Sequence, residues 1–259
     1  MTQRKGKTSQ SAKQVWEKHG VKSVILLLIC ILAIVALRAV ALYLDGNLTV
    51  DNLLVDLGLR PAPAATLADI PEYSGEPFVV LNDNWPDFDV EDMTTEPFEI
   101  YSELDSLGRC GVAYANVCLE IMPTEPRGEI GQVKPSGWQT VKYDCVEGKY
   151  LYNRCHLIGY QLAGENANKQ NLITGTRYMN VTGMLPFENM VDNYVEDTEN
   201  HVLYRVTPIF EGANLVASGV QMEAFSVEDE GEGICFNVFV YNVQPGITID
   251  YATGNSWEN

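Results

Sequence analysis

The chain has 259 residues, 46% of them apolar, with 17 basic against 35 acidic side chains and a net charge of −18. That length suits one ordinary domain with an additional anchor and linker, and the apolar fraction is enough for a packed core. Seven of the bases but only one of the acids precede residue 45, so the remainder carries net −24. That balance excludes nucleic-acid binding through a broad basic surface; contact with a polyanion has to be local, made by a few arginines and a metal ion.

Residues 1–23 hold Arg4, Lys5, Lys7, Lys13, Lys18 and Lys22, opposed by Glu17 alone. Val24 to Leu37 is an unbroken apolar run, and the pattern resumes after Arg38 as far as Leu44. As one helix, residues 21–44 would extend about 36 Å, enough for a bilayer core of about 30 Å. Arg38 lies near the far end, where its stem can snorkel to the interface. The basic flank should stay inside the cell. The expectation is a single-pass anchor at 24–44 in the lipid bilayer, with the N-terminus inside and the main domain outside. Ala39-Val40-Ala41 has a small-x-small pattern, so a cleaved leader and a secreted domain stand as the alternative. Residues 45–74 read as a linker, with a short amphipathic helix over Thr49–Leu59 followed by a proline-rich tether.

The domain is expected over residues 75–250, in an α+β order. Phe78–Leu81 and Val112–Ile121 read as strands, and Trp138–Cys145 with Tyr150–Arg154 as a hairpin around Glu147-Gly148. Residues 157–198 form a loop-and-helix insert, in which Pro186 fits the first helical position and Phe187, Met190, Val191 and Tyr194 follow at helical spacing. His201–Phe210, Leu215–Phe225 and Ile234–Val243 read as strands again. Residues 251–259 read as a polar tail.

The domain holds Cys110, Cys118, Cys145, Cys155 and Cys235, an odd number, so at least one thiol has no partner within the domain. A bridge between Cys145 and Cys155 stays open at this level. Neither a Cys-x-x-Cys pair nor zinc-finger spacing is present. The histidines are His19, His156 and His201. A reaction needing a neutral imidazole near pH 7 therefore has two candidates in the domain. His156 is the one set among other polar candidates: Arg154 before it, then Asn166, Asn168, Asn171, Arg177, Asn180, Glu188 and Asn189 in the insert.

The run from Asn153 to Glu188 resembles the DNA/RNA non-specific endonuclease family, whose site is of the ββα-metal type, and most of all the surface or DNA-entry nucleases of Gram-positive bacteria. The family's Asp-Arg-Gly-His motif reads Asn153-Arg154-Cys155-His156 here. Leu157-Ile158-Gly159-Tyr160 and Asn171-Leu172-Ile173-Thr174-Gly175-Thr176 continue the pattern. Asn180 and Glu188 follow in order, and Leu104-Asp105-Ser106-Leu107-Gly108-Arg109 extends the likeness toward the start of the domain. Two motif positions depart: Asn153 loses the charge of Asp, and Cys155 adds a side chain where the family has none.

The resemblance implies a ββα-metal core with a central antiparallel sheet and metal-dependent, sequence-nonspecific hydrolysis of DNA, with RNA as a second substrate, leaving 5′-phosphates. It implies His156 as general base, Asn180 as the metal ligand, Glu188 behind the metal-bound water, and Arg154 and Arg109 as phosphate-facing groups. Mg²⁺ is the expected ion, with Mn²⁺ as the alternative. Asn171 and Arg177 are further substrate-binding candidates. The competing expectation is a tethered domain that keeps the fold but has lost catalysis and serves as a binding or cell-surface interaction module.

Overall fold

The computed structural model describes residues 35–40 and 66–259. Residues 35–40 are helical. The rest of the expected anchor, the basic segment before it and the Thr49–Leu59 helix lie outside the described residues. Among the described residues, no helix is long and apolar enough to cross a membrane.

The domain is built on a six-stranded antiparallel sheet. Its strands are β1 (Phe78–Val80), β2 (Phe98–Tyr101), β3 (Ala113–Val117), β6 (Val202–Ile209), β7 (Gly219–Ser226) and β8 (Cys235–Tyr241), in the spatial order β1-β8-β7-β6-β3-β2. β-Branched and aromatic residues dominate β8, as a pleated and buried surface favours. Every residue of β7 is buried, because both faces of the sheet are covered. On one face, Phe187, Val191 and Val195 of the long helix pack with Val220, Met222, Phe236 and Val238. Each such side chain contributes about 1.5–3 kcal/mol by leaving water. On the other, Ile209, Phe239 and Tyr241 pack against Leu67 and Ile70. The linker expected to run to residue 74 therefore already belongs to the domain from about residue 66.

A second, smaller unit carries most of the candidate site residues. β4 (Tyr152–His156) pairs antiparallel with β5 (Leu172–Thr176), in the register His156↔Leu172 to Tyr152↔Thr176. Between them lie the short helix α1 (Tyr160–Ala163) and a turn at Lys169–Asn171. After β5 the chain makes a π-helical turn at Met179–Met184 that runs into α2 (Leu185–Thr198), with Pro186 in the first turn as expected. Asn242, fully buried, holds the two sheets together. Its Oδ1 accepts from the Thr176 amide, and its Nδ2 donates to the carbonyls of Thr174 and Ala217.

Four sequence expectations change. The Trp138–Cys145 strand is absent; that segment meets the run before β4 only through the Lys142↔Tyr150 bridge and a Tyr143–Lys149 backbone bond. β5 lies in what read as loop. β2 was not foreseen. The polar tail contains β10 (Asn255–Glu258), paired with β9 (Ile247–Asp250). None of the five described cysteines is in a disulfide.

Candidate active site

β4, the π-helical turn and the start of α2 wall a cleft of about 760 Å³. His156, Arg154, Arg177, Asn180 and Glu188 all line it, together with Arg127 and Gln161. Ten bases lie beyond residue 44, and three of them, Arg127, Arg154 and Arg177, meet in this one cleft. Among the residues lining it, Glu188 is the single acid. The local positive field that composition required is therefore concentrated here.

His156 ends β4 and is buried, with both ring nitrogens engaged. Nε2 lies 2.9 Å from the carbonyl oxygen of Asn166, and Nδ1 lies 3.3 Å from Nη2 of Arg127. A carbonyl can only accept and a guanidinium can only donate. Both neighbours thus select one state: a neutral ring with hydrogen on Nε2 and a lone pair on Nδ1 directed into the cleft. Burial pushes the imidazole pKa below its ordinary value, and the Arg127 charge adds to the effect against the bond to Asn166.

Asn180 stands on the π-helical turn opposite. Its Oδ1 accepts from the Cys155 thiol at 2.9 Å, which leaves the second oxygen lone pair for another donor or a cation. Cys155 faces the interior beneath it and also touches the Met184 sulfur. The close packing of β4 on β5 explains how the thiol fits. A Cβ at Gly175 would lie 2.7 Å from the Cys155 Cβ, so the space that a side chain would take on β5 is given to the cysteine on β4.

Glu188, in the first turn of α2, is buried against the Gly159 backbone. Desolvation raises its pKa to about 7, opposed by a hydrogen bond with Gln161 and the Arg127 charge. A cation in the cleft would return such a carboxyl to its charged form. The donors on offer, an amide oxygen, a carboxylate and the Gln161 amide, are hard oxygen groups of the kind that Mg²⁺ and Mn²⁺ take. The residues present fit a hard divalent ion.

Arg154 is fixed rather than free. Its guanidinium donates to the carbonyls of Val133 and Gly131 and stacks 4.1 Å from the centre of the Trp138 ring. It still lines the cleft as a held positive charge. Arg177 is looser: its Nη2 lies 3.7 Å from the Glu147 carboxylate, and its buried Nε has no hydrogen-bond partner.

Two sequence candidates belong elsewhere. Arg109 does not line the cleft. It pairs with Asp105 at 2.7 Å, donates to the carbonyls of Gly212 and Asn214, and stacks on Phe210. It ties a loop to the β6–β7 turn, outside the cleft in which the other candidates meet. Asn171 is fully buried, and its side-chain amide exchanges two 2.9 Å hydrogen bonds with the backbone of Ile158. It orders the loop after β4 and is not available to substrate. Arg127 and Gln161 were missed. The scarcity of bases in an acidic domain was the signal that pointed to Arg127.

A two-stranded unit followed by a helix, converging on a neutral histidine, an asparagine and a cluster of arginines, defines a ββα site suited to an anionic substrate. Residues 89–228 match the DNA/RNA non-specific endonuclease family, and the chain belongs to that family. Among solved structures it is similar to NucA from Streptococcus agalactiae with magnesium ion bound, at 27% identity and TM-score 0.65, covering 75% of this chain and 94% of that one. It is also similar to the Sda1 nuclease with bound zinc ion, at 25% identity and TM-score 0.61, over 71% of this chain and 97% of that one. A curated deoxyribonuclease of Streptococcus dysgalactiae subsp. equisimilis is 32% identical over 110 residues, which span 40% of this chain and 32% of that protein.

Proposed function

We propose that the chain is a divalent-metal-dependent, sequence-nonspecific endonuclease that hydrolyses DNA and also accepts RNA. The observation that carries this reading is the placement of the His156 ring between the Asn166 carbonyl and the Arg127 guanidinium, in a cleft where three arginines meet.

In this reading Nδ1 of His156 takes the proton from the attacking water. Arg127 leaves Nδ1 for a phosphate oxygen when the substrate arrives. Arg154, already held by two carbonyls, offers its remaining edge to the phosphate with little further ordering cost. Arg177 contributes a third positive charge. Asn180 and Glu188 would hold the divalent ion, Mg²⁺ or Mn²⁺; when bound, it neutralises charge on the phosphoryl oxygens as a Lewis acid. The aromatic walls, Trp138, Tyr150 and Tyr160, offer surfaces for sugar and base without reading sequence. The apolar run at 24–44 and its basic flank support an anchored protein with this domain outside the cell.

Plasmid nicking with Mg²⁺, Mn²⁺ or EDTA tests the reading. The wild-type chain is expected to nick with either ion and not with EDTA. His156→Ala is expected to lower the rate by about 10²–10⁴-fold. If wild type and His156→Ala nick equally little with every ion, the enzyme reading fails and a tethered binding module takes its place.

A further inference from the structure

Away from the cleft, three other ligand-bearing side chains converge. One donor atom each from Cys118, Glu120 and His201 lies within 4.8 Å of the others. The sheet brings them together. β3 and β6 pair as far as Val117↔Val202, so the next residue on each strand, Cys118 and His201, continues the pairing line. The chain then turns tightly, with the amides of Ile121 and Met122 both directed at the Cys118 carbonyl. That turn carries Glu120 back over the thiol. Cys118 is fully buried, while Glu120 is exposed and leaves the group reachable from solvent.

A fourth residue orients the histidine. The Glu228 carboxylate accepts from the His201 backbone amide at 2.8 Å and contacts His201 Nδ1 at 2.5 Å. A carboxylate bound at Nδ1 requires hydrogen there and leaves Nε2 as the nitrogen with a lone pair for a metal. This carboxylate–imidazole arrangement is the one that commonly stands behind histidine metal ligands.

We propose that Cys118, Glu120 and His201 form a second metal site, for Zn²⁺ or a similar borderline transition-metal ion, with water as the fourth ligand and Glu228 orienting the imidazole. The donor set decides the ion: sulfur, nitrogen and oxygen together suit Zn²⁺ and not Mg²⁺. In a tetrahedral zinc site the ligand atoms stand about 3.3–3.6 Å apart, so the group needs to contract, and rotation of the exposed Glu120 side chain serves that. The thiol gives its proton to solvent as the metal–sulfur bond forms. The ion clips the end of β3 to the start of β6 and, through Glu228, to the segment after β7. Its role is to stabilise the sheet, separate from the hard-oxygen site of the cleft.

Cobalt titration of the full chain in detergent tests this, because a thiolate ligand gives Co²⁺ a near-ultraviolet charge-transfer band. One equivalent is expected to produce the band, excess Zn²⁺ to abolish it, and Asn180→Ala to leave it unchanged. Cys118→Ala is expected to lose it. Glu120→Gln, at an exposed position that leaves the fold intact, and Glu228→Gln are each expected to weaken Co²⁺ binding by about 10–100-fold. Absence of the band in the wild type, its survival in Cys118→Ala, or unchanged affinity in Glu120→Gln overturns the proposal.

Discussion

The Cys155 thiol donates to Oδ1 of Asn180 across 2.9 Å, from the position where the family's motif has glycine. This chain thus braces its candidate metal ligand from below with a group that the family pattern lacks. One hydrogen bond of this kind is worth about 0.5–1.5 kcal/mol, or roughly a 2–12-fold change in an equilibrium. Cys155→Ala is expected to weaken Mg²⁺ binding by that factor, measured by the Mg²⁺ concentration giving half-maximal thermal stabilisation. Cys155→Ser keeps a donor and should retain most of the affinity. Equal affinities in all three proteins would show that the thiol is packing alone.

The contact between Arg127 and His156 sets a pH dependence. In the proposed mechanism the reacting form has neutral His156, so the rate rises with pH through the imidazole pKa, and burial and Arg127 hold that pKa below the ordinary value. The acidic limb of kcat/KM should therefore lie below pH about 6.5. Arg127→Ala removes one of the charges depressing it, so the limb should move to higher pH while KM for DNA rises. A limb that stays in place would separate Arg127 from the base.

Glu188 gives a stability test with a definite sign. Its pKa is raised to about 7 by burial, against 4.5 for an unburied glutamate. The folded state therefore favours the protonated carboxyl, and Glu188 costs stability progressively as pH rises from about 4.5 to 7. The full cost, on the order of 3 kcal/mol, is present above that window. In EDTA, Glu188→Gln should melt higher than wild type at pH 8 and near it at pH 4.5, while losing activity with Mg²⁺. A lower melting temperature at pH 8 would contradict this account of the buried carboxyl.

Arg109 should separate stability from catalysis. Its bonds to Asp105, Gly212 and Asn214 hold a loop to the β6–β7 turn. Arg109→Ala is expected to destabilise by about 1–3 kcal/mol by leaving those carbonyls without a donor, with kcat unchanged under conditions where both proteins are folded. A large fall in kcat without loss of stability would restore it as a phosphate-facing group.

The sequence was informative where side-chain pattern and structure share a cause. Ile234–Val243 and the helix from Pro186 follow from β-propensity and helical spacing, and both are present. β5 was hidden because Leu172–Thr176 is short, contains Gly175 and is buried along its whole length, which erases the alternation that marks a strand. The motif carried His156, Asn180, Glu188 and Arg154 to one cleft. It did not show that Arg109 and Asn171 lie outside that cleft, because a motif records which residues recur and not whether their donors are already used. Arg127 lies 29 residues before His156 and reaches it only through the fold.

The paired strands near the end of the chain bear on the order in which the protein takes shape. Tyr152, the first residue of β4, donates its hydroxyl to the Gly254 carbonyl, and Tyr143 reaches Ser256. A nascent chain released only as far as Asp250 already carries His156, Arg154 and Asn180 but not the clasp that seats the strand holding two of them. The strand that carries Arg154 and His156 is thus seated by a residue 102 positions beyond Tyr152, so the growing chain completes that support well after it has made the motif itself.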